Sequence, residues 1–341
     1  MAGRRLKRLM RILIALAVVV VAVLSIGISL TIGWRPFVGP KARPLTSRTF
    51  EATPVRLARG KYLVESVTGC FDCHSPKDWK GPGAPAVAGK EGSGRQWTAE
   101  ELPWIVAPNI TPDKQTGAGN WTDDMLARAI REGIGHDGRA LFPIMPYGKY
   151  KEMSDEDLAS VIVYIRSIPS VRNELPKTEI TFPLSRLILA APEPINAPVP
   201  APDTSTLVAR GRYMATMAGC AECHTAQNHG QPVKKLEFAG GFELKGQDVR
   251  VVSANITPDP SGISYYDEDL FLSAIHTGRV KTRELSPAMP WVVYKDMNDD
   301  DLKAIFAYIK TLKPIHHYVD NHEPPTMCRL CGLKHGLGDK N

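Results

Sequence analysis

The chain reads Cys70-Phe71-Asp72-Cys73-His74 at one point and Cys220-Ala221-Glu222-Cys223-His224 at another, two copies of the pattern Cys-x-x-Cys-His. Two thiols at this spacing can bond to the two vinyl groups of one porphyrin, and the adjacent histidine can then ligate the iron. A redox-active or zinc-binding Cys-x-x-Cys pair is the alternative, but neither requires a histidine after the second cysteine in both copies. The sequence therefore predicts two covalently bound haem c groups, one attached at Cys70 and Cys73 and one at Cys220 and Cys223.

The sequence around these two motifs is also repeated. Ala58-Arg59-Gly60-Lys61-Tyr62 precedes the first motif, and Ala209-Arg210-Gly211-Arg212-Tyr213 precedes the second. Further along, Asn109-Ile110-Thr111-Pro112-Asp113 recurs as Asn255-Ile256-Thr257-Pro258-Asp259. The same features in the same order indicate a tandem duplication.

Each repeat predicts helices at matching places. One helix leads into each motif, and a second, at 125–131 or 270–276, has apolar residues at helical spacing and ends before a glycine. A last helix starts at a predicted N-cap, Ser154 or Asn298, which acidic residues follow. Both repeats are therefore expected to be helical bundles.

Each haem iron needs two axial ligands, and the motifs supply His74 and His224 as the proximal ones. His136 and His276 are candidates for the distal position because both precede a Met-Pro dipeptide. They do not occupy equivalent positions when the repeats are aligned. We therefore interpret both as surface or loop histidines.

Two methionines recur in each repeat as candidates for the distal ligand. Met153 and Met297 directly precede an N-cap, where an apolar side chain is explained as a hydrophobic staple. Met145 and Met289 stand in Met-Pro dipeptides, where nearby prolines restrict the backbone and can hold a thioether in place. We predict Met145 as the distal ligand of the first iron and Met289 as that of the second. A core methionine that fills a gap is the alternative.

The N-terminal segment has the pattern of a membrane anchor. An uncharged run covers 12–34 and follows five basic residues, Arg4, Arg5, Lys7, Arg8 and Arg11. By the positive-inside rule this predicts one membrane helix with a cytoplasmic N-terminus and all later residues on the periplasmic side of the inner membrane. A cleaved signal peptide is the alternative, but the run is longer than its usual apolar region and no small-x-small site follows.

The net charge is +6, and five of these charges precede the predicted span. The exported part is nearly neutral and has no basic patch, so nucleic-acid binding is not expected. Seven prolines between 172 and 203 predict a stiff linker between the repeats.

The C-terminal tail carries a third cysteine pair, Cys328-Arg329-Leu330-Cys331, followed by Gly332 where a haem motif would need histidine. A third haem is therefore not predicted. We favour a local disulfide or two uncommitted thiols, and a metal site with His322 and His335 is the alternative.

These observations divide the chain into six predicted segments. They are a basic end and anchor at 1–34, a tether at 35–54, a first haem domain at 55–171, the linker at 172–203, a second haem domain at 204–315 and a tail at 316–341.

Three stretches, 109–113, 137–141 and 145–158, resemble the cytochrome c subunits of membrane-bound alcohol and gluconate dehydrogenases. The resemblance covers both repeats. It implies an all-α fold of two tandem cytochrome c-like domains after the transmembrane helix, with irons ligated by the residues matching His74, Met145, His224 and Met289. Those subunits usually carry three haem domains, whereas this chain carries two and an N-terminal anchor.

Three classes of function follow. The first is a membrane-bound carrier that takes electrons from a dehydrogenase or quinol-oxidising complex and passes them towards a terminal oxidase or a soluble cytochrome. The second is a two-haem enzyme similar to cytochrome c peroxidases or thiosulfate dehydrogenases, which needs an exchangeable or unusual iron ligand. The third is a tethered sensory or structural haem protein. The Met-Pro pair in both repeats favours the first.

Overall fold

A computed structural model describes residues 2–97, 104–228, 230–245 and 250–341. Within these ranges the chain forms thirteen α-helices, many of them a single turn. They are α1 (Ala2–Leu30), α2 (Arg35–Val38), α3 (Pro54–Tyr62), α4 (Cys70–Cys73), α5 (Asp123–Glu132), α6 (Tyr147–Tyr150), α7 (Asp155–Ser167), α8 (Leu184–Leu187), α9 (Leu207–Ala218), α10 (Cys220–Cys223), α11 (Glu268–Thr277), α12 (Trp291–Tyr294) and α13 (Asp299–Lys310). A π-helical segment, Leu63–Val67, continues α3.

The described ranges also contain five two-stranded antiparallel sheets. Their strands pair in chain order: β1 (Arg95–Gln96) with β2 (Val106–Ala107), β3 (Gln227–Asn228) with β4 (Gln231–Pro232), β5 (Glu243–Lys245) with β6 (Arg250–Val252), β7 (Arg279–Val280) with β8 (Arg283–Glu284), and β9 (Asp320–Met327) with β10 (Lys334–Gly336). The all-α prediction is therefore confirmed only in part: the structure is rich in helices, but the described residues also form short hairpins.

The chain divides into two compact units. The first consists of Met1–Thr46, Arg128–Lys151 and Ile180–Asn196, and the second of Ser47–Ala127, Glu152–Glu179 and Ala197–Asn341. The first unit thus holds α1, α2, α6 and α8. The second unit holds both Cys-x-x-Cys-His motifs and the last helix of each repeat.

In the second unit, each repeat is built on a crossing pair of helices, α3 with α7 and α9 with α13. The crossings are close because a glycine lies at each contact. Gly60 faces the backbone carbonyl of Ser160, and Gly211 faces that of Ala304. A β-carbon at either glycine would occupy the space of the carbonyl oxygen, so the pairing requires glycine here.

The predicted N-caps are confirmed in both repeats. The Ser154 side chain accepts a hydrogen bond from the N–H of Asp157 at 3.1 Å, and the Asn298 side chain accepts one from the N–H of Asp301 at 2.8 Å. The predicted α5 and α11 are confirmed as well, and α11 ends at the expected glycine, Gly278.

The two repeats exchange hydrogen bonds through these capped helix starts. The Tyr62 hydroxyl of the first repeat donates to Asp301 of the second at 2.6 Å, and the Tyr213 hydroxyl of the second donates to Asp157 of the first at 2.7 Å. Both carboxylates are buried, at 6% exposure for Asp157 and 2% for Asp301. The contact is therefore reciprocal, as expected when duplicated domains pack face to face.

In the first unit, α1 is the one helix of the described residues that is long and apolar enough to cross a membrane. It starts before the predicted apolar run and includes the basic residues. Elsewhere in this unit, the Arg43 guanidinium donates to buried Glu132 at 2.9 Å, and the ring of Tyr147 lies against Gly133.

Candidate haem sites

The two proximal histidines have the same surroundings. His74 ends the single turn α4, and its Nδ1 lies 2.8 Å from the carbonyl oxygen of Pro108. His224 ends α10, and its Nδ1 lies 2.8 Å from the carbonyl oxygen of Ala254. A carbonyl can only accept, so each Nδ1 carries the proton and each Nε2 keeps its lone pair for a metal.

The donor atoms fit haem c. Burial lowers the pKa of both histidines, which keeps the rings neutral and able to ligate iron. The four motif cysteines are half-buried, and each pair lies on one turn of helix next to its histidine. Burial raises the pKa of Cys73 to about 11, whereas a redox-active thiol needs a lowered one. The surroundings of Cys73 therefore argue against the redox alternative.

The loops that hold the carbonyl acceptors are locked by the repeated Asn-Ile-Thr-Pro-Asp segment. Asn109 follows Pro108, and its Oδ1 accepts from the N–H and the hydroxyl of Thr111 at 3.0 and 2.7 Å. Asn255 follows Ala254 and makes the same two bonds to Thr257 at 2.9 and 2.8 Å. All four of these side chains are at most 3% exposed, so the turns that position the acceptors are rigid.

The two Met-Pro segments also adopt one conformation. The N–H of Met145 donates to the carbonyl of Phe142 at 3.1 Å, and that of Met289 donates to Ser286 at 2.9 Å. Both methionines are half-buried. By contrast, Met153 and Met297 are only 1% and 3% exposed. This burial fits the interpretation of Met153 and Met297 as hydrophobic staples before an N-cap.

A family model for cytochrome c matches residues 57–169 and 208–313, which together make up more than half of the chain. The chain belongs to the cytochrome c family. Its relatives include the cytochrome c subunit of the quinone alcohol dehydrogenase of Gluconacetobacter polyoxogenes, which is 29% identical over 79% of this chain and 58% of that subunit. The gluconate 2-dehydrogenase cytochrome c subunit of Pantoea cypripedii is 31% identical over 77% of this chain and 60% of that subunit.

A diheme cytochrome c-type protein of Cereibacter sphaeroides is 28% identical over 72% of this chain and 83% of that protein. The chain thus spans about three-fifths of the length of the two dehydrogenase subunits and most of the diheme protein. The predicted resemblance is confirmed, and so is the predicted cofactor: this cytochrome c carries two covalently bound haem c groups.

The second cytochrome c repeat lies against the first near its haem motif. Helix α12, which directly follows Met289-Pro290, packs on the π-helical segment 63–67. The nearest atom to a β-carbon built at Gly69 is a methyl group of Val293, at 3.2 Å. The segment that carries one candidate distal ligand therefore touches the residue that precedes Cys70.

The surroundings of His136 and His276 fit their interpretation as surface or loop histidines rather than distal ligands. Both ring nitrogens of His276 are engaged: Nδ1 lies 2.6 Å from the carbonyl oxygen of Lys295, and Nε2 lies 3.0 Å from a carboxylate oxygen of Asp299. His136 is half-buried just after α5.

The tail cysteines, Cys328 and Cys331, are free thiols and buried. The structure brings them together with His335, as the metal alternative required, and with His317. His322 is exposed and lies outside this group. The sequence interpretation missed His317, although the spacing His-x10-Cys-x2-Cys-x3-His was a signal that could have revealed it.

Proposed function

We propose that this cytochrome c is a membrane-anchored electron-transfer subunit. It takes single electrons from a dehydrogenase or quinol-oxidising partner on the periplasmic side and passes them towards a terminal oxidase or a soluble cytochrome. The observation that carries the proposal is the duplicated proximal site: in both repeats a half-buried, neutral histidine is fixed through Nδ1 to a backbone carbonyl at 2.8 Å. Such a ring stays in place when the charge on the iron changes.

In this proposal, Cys70 and Cys73 hold the first haem and Cys220 and Cys223 the second. His74 and Met145 ligate the first iron, and His224 and Met289 the second. The haem supplies one-electron chemistry at its iron. A thioether ligand favours the reduced iron and raises its potential, and a six-coordinate iron leaves no position for a substrate. Both effects favour a carrier over an enzyme.

The packing of α12 supports transfer of electrons between the two haems within one chain. Val293 lies beside Gly69, and the reciprocal bonds Tyr62 to Asp301 and Tyr213 to Asp157 hold the repeats together. These contacts keep the haem motif of one repeat close to the candidate ligand segment of the other. A fixed short separation lets transfer proceed without a domain movement.

The donor is proposed from the names of the relatives, two of which are cytochrome subunits of alcohol and gluconate dehydrogenases. Helix α1 supports the anchor, because its uncharged part, 12–30, is about 28 Å long at the rise of an α-helix and matches a bilayer core of about 30 Å. The domain boundaries given above are part of the same proposal.

The experiment uses membranes that contain the full-length holoprotein, with the terminal oxidases inhibited. Ethanol, gluconate or succinate is added, and reduction of the haems is followed at the α-band. A strain with Cys70→Ala and Cys220→Ala provides the background. Reduction by ethanol or gluconate but not succinate supports a dehydrogenase donor, and reduction by succinate supports a quinol-oxidising donor.

Failure of all three donors, combined with oxidation of reduced protein by peroxide or reduction by thiosulfate at enzymatic rates, would replace the proposal by the two-haem enzyme. Spectroscopy of the oxidised protein separates the two as well. Two His/Met haems give the weak sulfur-to-iron band at full intensity, whereas an enzyme with one exchangeable site gives half and a high-spin or bis-histidine remainder.

A further inference from the structure

The residues after α13 fold back onto the loop that follows the second haem motif. The N–H of His317 donates to the Ser261 hydroxyl at 2.9 Å, and Nδ1 of His317 lies 2.7 Å from the carbonyl oxygen of Ala239. Cys328 and Cys331 pack with Ala239 in one buried apolar cluster. The tail is thus an integral part of the second repeat.

Four ligand atoms meet in this cluster. Each residue offers one ligand atom, and these atoms all lie within 4.8 Å of one another. The residues are buried, with exposed fractions of 0% for His317, 0% for Cys328, 8% for Cys331 and 3% for His335. Nε2 of His317 lies 3.4 Å from Sγ of Cys328, and Nε2 of His335 lies 3.3 Å from Sγ of Cys331.

These distances fit tetrahedral coordination. Zinc with Zn–S of about 2.3 Å and Zn–N of about 2.0–2.1 Å separates sulfur from nitrogen by about 3.6 Å and sulfur from sulfur by about 3.8 Å. The observed sulfur to nitrogen separations are within about 0.3 Å of that value. Because no pair exceeds 4.8 Å, closure on a metal requires movements of about 1 Å or less.

The two imidazoles are also oriented as metal ligands. Nδ1 of His317 faces the Ala239 carbonyl, and Nδ1 of His335 lies 3.0 Å from the carbonyl oxygen of Gly336. Each Nδ1 therefore carries the proton, and each Nε2 directs its lone pair at the sulfurs. The haem histidines have the same arrangement.

The turn formed by residues 328–333 positions the two cysteine sulfurs. The N–H of Cys328 donates to the carbonyl of Leu333 at 2.9 Å, and the N–H of Gly332 donates to the carbonyl of Cys328 at 3.1 Å. Gly332 has φ of +78°, a conformation that favours glycine. This residue, which rules out a third haem motif, lets the chain reverse so that both sulfurs face the same point.

We propose that His317, Cys328, Cys331 and His335 bind one Zn²⁺ ion in a closed structural site. A Cys₂His₂ set of soft and borderline donors without an open position is typical of structural zinc. The ion fastens the tail to the haem domain. The peptide group between Ala239 and Gly240 connects the two sites, because its carbonyl accepts from His317 and its N–H donates to the carbonyl of His224 at 2.7 Å.

The experiment measures zinc in the full-length holoprotein purified in detergent without chelators. Elemental analysis is expected to give one zinc per two haem irons, and X-ray absorption at the zinc edge is expected to give two sulfur and two nitrogen neighbours at the distances above. The haem iron does not interfere at this edge. Zinc-free protein, or a mass 2 Da lower that maps to a Cys328–Cys331 disulfide, would overturn the site.

The variant His317→Asn provides a matched test, because the first repeat has Asn173 at the equivalent position, where its side-chain nitrogen donates to the carbonyl of Ser93 at 2.9 Å. It is expected to fold, to keep two haems and to lose at least nine-tenths of the zinc. The control His322→Asn changes an exposed tail histidine outside the cluster and is expected to keep one zinc. Full zinc in His317→Asn would contradict the assignment, and the wild-type measurements decide the question if the variant does not fold.

Discussion

The two repeats place different residues, Asn173 and His317, at equivalent positions. In the first repeat, the side-chain nitrogen of Asn173 donates to the carbonyl of Ser93 at 2.9 Å. In the second, Nδ1 of His317 lies 2.7 Å from the carbonyl oxygen of Ala239. Both residues follow the last helix, and the N–H of each donates to a hydroxyl, that of Thr116 or Ser261, at 3.0 or 2.9 Å. The bond from the side-chain nitrogen to a backbone carbonyl is therefore the same in the two repeats. Only histidine has a second ring nitrogen that can bind a metal.

This difference shows how a duplicated domain can gain a site without changing its haem pocket. The proximal geometry is the same in both repeats, since each histidine bonds a carbonyl at 2.8 Å. In the first repeat the chain continues into the proline-rich segment, whereas in the second it returns through β9 and β10 and brings two cysteines to the histidine. The two haem pockets have the same proximal geometry, and the segments that follow the last helix of each repeat differ.

The largest expected effect concerns haem attachment. Replacing Cys70 and Cys73 together by alanine is expected to remove one of the two haems, and the same change at Cys220 and Cys223 is expected to remove the other. The haem content per polypeptide, measured as the pyridine haemochrome, would fall from two to one in each case. As a control, Cys328→Ala is expected to retain two haems, and a loss of haem there would break the distinction between the three cysteine pairs.

The second effect is on the reduction potentials. Met145→Ala and Met289→Ala are each expected to lower one potential by on the order of 0.1 V, a part of the roughly 0.8 V range that axial ligands control. Redox titration of the holoprotein measures the shift. The matched controls Met153→Leu and Met297→Leu alter buried methionines and are expected to leave both potentials unchanged. Unchanged titrations in the alanine variants would remove the distal assignment.

The third effect is on stability, and it concerns the reciprocal hydrogen bonds between the two repeats. Tyr62→Phe and Tyr213→Phe each remove one hydrogen bond to a buried carboxylate and are each expected to lower the free energy of unfolding by about 1.5–3 kcal/mol. Denaturant unfolding followed by the haem absorption measures the loss. Tyr164→Phe removes a bond to Glu65 inside the first repeat and serves as the comparison for a bond that does not cross between the repeats. Clearly unequal losses in Tyr62→Phe and Tyr213→Phe would contradict a reciprocal contact.

The same two tyrosines predict a dependence on alkaline pH. Burial, followed by the neighbouring carboxylate, raises the pKa of Tyr62 and Tyr213 above the ordinary value near 10. The folded state thus keeps these protons while the unfolded state loses them, so the stabilisation is complete below about pH 10 and declines as the pH rises further. In the variant with both Tyr62→Phe and Tyr213→Phe, the free energy of unfolding, measured with denaturant at increasing pH, should decline less above pH 10. An equal decline in this variant would show that other groups cause it.

The smallest effect is expected at the position where the repeats differ. Asn173→Ala removes a neutral hydrogen bond and is expected to lower the free energy of unfolding by about 0.5–1.5 kcal/mol without a change in metal content. His317→Ala removes the equivalent bond and a proposed zinc ligand, so its cost should be larger. Equal costs at the two positions, measured by thermal unfolding with matched haem loading, would contradict the proposed difference.

The sequence alone determined the two haem motifs, the duplication and the helices with their caps. These features are local: a Cys-x-x-Cys-His pattern, a serine or asparagine before a helix and a glycine after one act over a few residues. The sequence did not predict the hairpins, because nine of the ten described strands have only two or three residues and so no periodicity to detect, and the eight-residue β9 contains two prolines. The tether and linker boundaries stay predictions.

Tertiary structure decided which distant residues meet. The bonds from Tyr62 to Asp301 and from Tyr213 to Asp157 join residues 239 and 56 positions apart, and no local pattern encodes such pairs. In the same way, the sequence placed His322 near the tail cysteines, but the fold brings His317 there instead. A ligand is selected by direction and distance in space, and these depend on how the chain returns to the haem domain.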